Sequence, residues 1–476
     1  MKKIKILIST DSAGIHTGLG EGCRLVFTEL LKNYPNEFEI HQLGWFHVTP
    51  TEQVPWPIYQ THVVNGPNGP SLDHEDRYGQ RSAESVIAKL KPDIVWTNGD
   101  LWCFDHLLNS PNRNSFRLIT YYTIDGSPYT GISFNPGQSS EWGSKLVKAD
   151  RIVTMTEFGQ KVLNALPELK DKKIDVIYHP MDITRFRCLN ESEKREERKR
   201  LYSGHIDPNS FVIGWIGRNQ FRKQNHKMWE VLHYLKHGDY IECSACNRIT
   251  VKEYDWATRQ SIPGRHRYEE GYSYEHCWYC KSKDIRLGNA LKDVYLWQHM
   301  SRTDQGYNYP LHSKIWDIDD RVIISGSDNP SKGLTPKLLA DLISTWDCFL
   351  YLTGGEGFGV PAFEALMSGV PVVYSNYSSH PDFCKHGGLP VRVGEFIPEF
   401  AFGINRSICD TGDAVRQLLY AYRNRDALKA LGLKGREFAL QKNVTSIANQ
   451  WYTMFKELAA QPLPIENANN LYAQVI

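Results

Sequence analysis

Short apolar runs alternate with amphipathic stretches through the first half of this 476-residue chain. KIKILIST passes through a glycine-containing loop into helical spacing from about Glu21 to Leu31, and PDIVWTNGD, RLITYYTID and RIVTMTEFGQKVL each read as a strand end entering a loop or helix. Near-continuous apolar strands separated by helices predict a parallel sheet covered on both faces. The series restarts with FVIGWIGR at Phe211 and continues through VYLWQH, RVIISG and CFLYLTGGEGFGVPAFEALMSGVPVVYS. Two such series predict an α/β chain of two Rossmann-like domains facing a cleft. Between them, ESEKREERKRLYSG is charge-rich and lacks an apolar period long enough for a core, which places the interdomain connection there, with domains at 1–205 and 206–440. In the last stretch, Ile447, Trp451, Met454, Phe455 and Leu458 fall on one helical face and predict a terminal helix, 441–462, packed on a domain surface.

Composition supports a folded enzyme or binding protein: 41% of residues are hydrophobic and 23% charged. With 55 Lys+Arg against 54 Asp+Glu the net charge is +1, so no global field would hold a polyanion, and any nucleic-acid contact must be local. The opening MKKIKILIST has too short an apolar run for a signal peptide, and no stretch approaches the roughly 18 apolar residues that span a bilayer. A soluble, cytoplasmic protein is expected. Of ten cysteines, four form two C-x-x-C pairs and six are scattered, a usage that suits a reducing compartment.

The segment from Gly354 to Ser375 reads as strand, glycine turn, helix, strand. Gly354, Gly355, Gly357 and Gly359 let the backbone approach a ligand, Pro361 suits the first helical turn, and the unpaired amides of that turn suit phosphate. Glu356 precedes the helix and Glu364 follows within it, two acceptors set to hold hydroxyls on two parts of an extended ligand. Taken alone, the segment also fits a capping Glu and a surface Glu around a tight turn. Upstream, Arg218 and Lys223 lie just past a strand end, where open α/β sheets bind ligands, and suit a diphosphate. Arg222 either assists them or is solvated.

The combination GR-x4-K followed by E-G-F-G-x4-E resembles the donor site of family-four retaining glycosyltransferases of the GT-B fold. TGLGEG, VTMTEFGQKVL, VIYHPMDITRF and the GVPVV strand extend the resemblance over most of the chain. It implies a nucleotide-diphosphate-sugar donor, with Glu356 on hydroxyls of the transferred sugar, Glu364 on the ribose, Arg218 and Lys223 on the diphosphate, and Gly357, Phe358 and Gly359 binding the donor from the turn. It also implies that Gly18 and Gly20 form an N-terminal loop facing the cleft. HPMD at His179–Asp182 departs from the family's N-G-V-D and is given no chemistry. No D-x-D stands where a donor-bound divalent metal would need it, so none is expected. Asp125, after a strand in YYTIDGSPY, resembles the family's cleft-facing acid or His and would orient the acceptor hydroxyl or the sugar; an Asx-turn cap is the alternative. His16 is a further candidate beside an ordinary loop histidine.

An insert at 240–287 carries Cys243, Cys246, Cys277 and Cys280 as C-x2-C-x30-C-x2-C. Two such pairs suit one structural zinc, with His266 and His276 as substitutes. Tyr254, Trp256, Tyr268, Tyr272, Tyr274, Trp278 and Tyr279 are interleaved with Arg248, Arg259, Arg265, Arg267, Lys281, Lys283 and Arg286, a mixture that could stack bases. Nearby acids nearly cancel that charge, so a self-packed module or dimer contact is the alternative. The expected function is transfer of a sugar to a glycan, lipid headgroup, protein or small molecule. A hydroxymethylpyrimidine in viral DNA is the second acceptor class, and a nucleotide-sugar epimerase or a non-catalytic sugar-nucleotide binder is the alternative use of the fold.

Overall fold

The computed structural model describes residues 2–47, 50, 52–66, 69–128, 141–251, 254–255, 260–261, 275–302, 304–326, 334–399 and 401–463. The chain forms two compact units. The first comprises Met1–Asp182, Pro398–Asn405 and Gln441–Ile476, and the second Ile183–Ile397 and Arg406–Leu440.

Each unit is built on its own sheet. In the first, seven strands run in the order Ile174–Val176, Arg151–Thr154, Arg117–Tyr122, Ile94–Gly99, Ile4–Asp11, Phe38–Trp45, Ile58–Gln60, and every neighbouring pair is parallel. In the second, six parallel strands run in the order Val322–Ile324, Val294–His299, Phe211–Ile216, Cys348–Tyr351, Val372–Ser375, Gly388–Val391. The central strands are buried on both faces, which is why they read as continuous apolar runs rather than alternating ones.

The C-terminal helix, Val444–Ala459, belongs to the first unit and buries the five residues that its period singles out. Trp451 meets the rings of Trp96 and Tyr121 edge-on, at 5.5 and 5.1 Å. Among the described residues no helix is long and apolar enough to cross a membrane.

The charged stretch expected as a connection is a helix of the second unit, Glu191–Tyr202, closed by a capping box in which Asn190 and Glu193 bind each other's backbone amides. The chain passes between units earlier, at Asp182–Ile183. The helix docks through an arginine, so it carries no apolar stripe to notice. Arg198, 3% exposed, donates to the carbonyls of Thr345, Pro208 and Ser210 and to Asp347 at 2.7 Å. Burial pushes the Asp347 carboxyl up, but Lys194 and Arg198 outweigh burial and hold it below its usual range.

Removing one partner of such a pair strands a buried charge. Arg198→Ala is therefore expected to lower the unfolding free energy of the second unit by about 3–5 kcal/mol, measured by urea denaturation. A loss within about 0.5 kcal/mol, the range of ordinary surface substitutions, would contradict this docking.

Candidate active site

From Phe211–Ile216 the second sheet grows first toward Val294–His299 and Val322–Ile324, and the chain then crosses over to Cys348–Tyr351 on the other side. Loops leaving the carboxyl ends of Phe211–Ile216 and Cys348–Tyr351 thus diverge and leave a crevice, the place where open α/β sheets take their ligands.

Both loops bring charge to this point. After Phe211–Ile216 a short 3-10 turn, Phe221–Lys223, precedes the helix Asn225–His237, and after Cys348–Tyr351 comes the glycine turn with Glu356. Lys223 Nζ lies 2.5 Å from Glu356 Oε1, and Arg222 Nη1 lies 2.8 Å from the same oxygen. The Thr353 hydroxyl stands 3.1 Å from that oxygen and accepts the Gly355 N–H. Burial alone would push the Glu356 carboxyl up; Arg222 and then Lys223 outweigh it and hold the group well below the usual carboxylate range. The loops are also joined through their backbones, with the Gly354 N–H donating to Arg222 O at 2.7 Å.

The turn is clamped from below. The Ser378 hydroxyl accepts the Glu356 N–H at 2.9 Å and donates to the Glu356 carbonyl at 3.1 Å, from a backbone φ of +55° that a serine rarely takes. His380 packs its ring on Tyr351 at 4.8 Å with Nδ1 3.0 Å from Ser375 Oγ, and burial first of all takes its pKa down to about 4. It is neutral at pH 7. Gly359 begins the helix Val360–Met367 at φ +96°, where a side chain would be strained, and Pro361 stands in the first turn. Phe358 turns away into the core against Phe363 and Phe383, and Glu364 sits half-buried on the helix. Thr353, Ser378 and His380 escaped the sequence reading. The adjacent basic pair at Arg222 and Lys223 was its one visible signal for the second cation.

Arg218 goes elsewhere. It forms a two-pronged pair with Asp304, at 2.9 and 2.8 Å, and this hydrogen bonding holds the Asp304 carboxyl below its usual range. The cations gathered on Glu356 are therefore Lys223 and Arg222. In the first unit, Gly18 and Gly20 open the helix Gly18–Asn33, whose cap Thr17 accepts from Gly20 N–H and donates to Asp11. A Cβ at Gly20 would stand 2.5 Å from the Ser12 carbonyl, so the backbone approach there requires glycine. His16 lies 3.3 Å from Glu52; the histidine is exposed and the glutamate half-buried. Asp125 sits half-buried just before Ser127–Pro128, which pairs with Ile404 and Asn405. His179 is buried, and burial lowers its pKa to about 4.

In the insert, Tyr240–Cys243 pairs with Ile249–Val251 and Ile285–Leu287 in an antiparallel sheet. The sulfurs of Cys243, Cys246, Cys277 and Cys280 all lie within 4.8 Å of one another, with the 243/280 and 246/277 pairs at 3.6 Å. Two matching turns present them. Asn247 N–H donates to Cys243 O and Lys281 N–H to Cys277 O, and Asn247 and Lys281 take φ of +54° and +60°. Metal–sulfur bonds of about 2.3 Å in a tetrahedron place sulfurs roughly 3.8 Å apart, so the set fits such an ion without His276. His266, Trp256, Tyr268, Tyr272, Tyr274, Arg259, Arg265 and Arg267 lie outside the described residues, as does the side chain of Tyr254.

Comparison with solved structures gives matches over nearly the whole chain. Sucrose-phosphate synthase from Thermosynechococcus elongatus superposes with a TM-score of 0.63 at 14% identity, covering 96% of this chain and 99% of its own. A glycosyltransferase from Rickettsia africae gives 0.63 at 13% identity, covering 97% and 100%. Anabaena HepE, solved in complex with UDP and glucose, gives 0.58 at 14% identity, covering 95% and 100%. No family model matches the sequence, and no curated protein does. At these identities the likeness establishes the fold: two Rossmann-like units of the GT-B class.

Because the Glu356 carboxyl is held low in the folded state, it adds stability above the unfolded value of about 4.3 and loses it as pH falls through the folded value. Wild type should therefore exceed Glu356→Gln in stability at pH 7, with the gap closing as the pH drops below about 4. Chemical denaturation at a series of pH values checks this, and a gap independent of pH would contradict it.

Proposed function

We propose that this protein is a retaining glycosyltransferase resembling family four, which moves a sugar from a nucleoside diphosphate sugar to an acceptor hydroxyl. The observation that carries the reading is Glu356 held between Lys223 and Arg222 at the crevice of the second sheet, with the Thr353 hydroxyl on the same carboxylate oxygen. HepE, of the same fold, was solved with UDP and glucose, which supports a donor of this class.

Transfer breaks the bond between the anomeric carbon and the diphosphate. Positive charge develops on the sugar ring and negative charge on the leaving group. Lys223 and Arg222, with the amides at the start of Val360–Met367 beyond Gly357 and Gly359, stabilise the departing diphosphate without reorganising. Buried Glu356, ionised at neutral pH, holds hydroxyls of the transferred sugar on the same side. Glu364, further down the helix, takes the ribose. Arg218 stands at the same strand tip and reaches a diphosphate by leaving Asp304. Asp125 keeps the acceptor-side role that the family resemblance implies, with Gly18 and Gly20 beside the donor. Retention follows from the same resemblance, with the acceptor attacking from the face that the diphosphate leaves.

Cys243, Cys246, Cys277 and Cys280 would hold a structural zinc, which ties the two turns of the insert and takes no part in transfer. Hydroxymethylpyrimidine in DNA is the second acceptor class. In its favour, the insert presents Trp278 and Tyr279 beside cations, Lys281 over the first ring at 4.6 Å and Arg248 over the second at 4.5 Å.

Lys223→Ala and Glu356→Gln are each expected to reduce kcat/KM by about 100- to 1000-fold while circular dichroism stays unchanged; full activity in both would overturn the assignment. Transfer of labelled sugar to oligosaccharide, lipid, protein and hydroxymethylated DNA acceptors identifies the acceptor, and sugar isomerisation without an acceptor would replace transferase by epimerase. Metal analysis should find one zinc per chain, and its removal by a chelator should lower Tm. A metal-free chain of unchanged Tm would exclude the zinc.

A further inference from the structure

The second unit carries a cavity of about 400 Å³, open to solvent, at the opposite edge of its sheet. Its walls come from the helices Glu191–Tyr202 and Arg425–Leu440, and Phe211, Trp346, Asp347, Val370 and Pro371 line it where the chain enters the strands. This is the amino edge, whereas Lys223 and Glu356 stand at the carboxyl edge. The two places share no lining residue.

Charge distinguishes the cavity. Five basic and three acidic side chains line it, a surplus of two positive charges. Arg198 and Lys194 answer Asp347 at 2.7 and 3.4 Å, and Lys429 faces Glu191 at 3.5 Å in an exposed and therefore weak pair. Arg425 stacks on Phe211 at 5.2 Å and reaches Asp293 at 3.5 Å. Arg195 has no ion-pair partner among the described residues. Trp346, fully buried, closes the inner wall. Leu189, Val370, Leu428 and Leu433 supply apolar wall. A volume of this size is within the roughly 300–1000 Å³ of small-molecule sites.

We propose that this cavity binds a small organic anion, a phosphomonoester or carboxylate on an apolar body, with the anionic group at Arg195 and Lys429 and the body against the apolar wall. The site stands independently of the transfer chemistry. Its occupant would touch Asp347 and Val370, just before the strands Cys348–Tyr351 and Val372–Ser375.

Calorimetric titration of the full chain with phenyl phosphate, benzoate and inorganic phosphate tests it, in wild type, an Arg195→Glu/Lys429→Glu double variant and Lys223→Ala. Saturable binding of phenyl phosphate or benzoate is expected in wild type and Lys223→Ala, weakened at least about tenfold in the double variant. Which of the two binds tells phosphomonoester from carboxylate, and inorganic phosphate should bind more weakly than either that does. Leu433→Trp, which narrows the cavity without touching its charge, should weaken binding too and serves if the double variant misfolds. The site is overturned by absence of saturable binding up to about 10 mM, by binding indifferent to both cavity variants, or by binding lost in Lys223→Ala, which would put the anion in the strand-tip crevice. Equal affinity for inorganic phosphate would overturn the apolar subsite.

Discussion

A buried carboxylate at the tip of one strand and two cations at the tip of its neighbour compensate each other's charge. Glu356 is 6% exposed and Lys223 7%, and removing an ion from water costs several kcal/mol unless a partner of opposite sign compensates it. The strands that carry them are adjacent only in the folded sheet, so the pairing couples the two loops. The backbone bond from Gly354 to Arg222 and the Ser378 clamp on both sides of Glu356 remove the remaining freedom. The outcome is a crevice whose carboxylate and two cations are fixed in place before any ligand enters it.

The opposite edge of the same sheet uses the same physics for a structural end. Asp347 precedes the strand whose far end leads to Glu356, and it is met by Arg198 and Lys194 and by the Val212 N–H of the neighbouring strand. The sheet is thus pinned at both edges by buried charge, with apolar packing between. At the amino edge Arg198 is enclosed by four bonds, to three carbonyls and Asp347.

The insert solves a different problem. A module this short cannot bury enough apolar surface to stand alone. Four thiols converge at its turns, and its sheet leans on the helix Thr411–Arg423, where Arg423 pairs with Glu242 and the Gly412 backbone closes on Ile249 O. Arg248 and Lys281 stack on their own module's rings.

Much was legible in the residues alone. The two strand–helix series, the face of the terminal helix and the E-x7-E turn follow from local periods and from the demands of a glycine turn, which neighbours in sequence satisfy among themselves. The cysteine spacing announced a cluster for the same reason: each pair is a self-contained turn. What local pattern could not decide was which cation meets Glu356. Arg218, Arg222 and Lys223 lie within one short segment, and the 3-10 turn Phe221–Lys223 sends the last two to the carboxylate, while Arg218 finds Asp304, 86 positions away. The charged helix Glu191–Tyr202 passed for a connection because its anchor, Arg198, looks like any solvated arginine until Asp347 and three carbonyls surround it. Periods of 2 and 3.6 residues record how a segment meets its own neighbours. The partner of a buried charge is set by the order of strands in the sheet, which only the assembled fold contains.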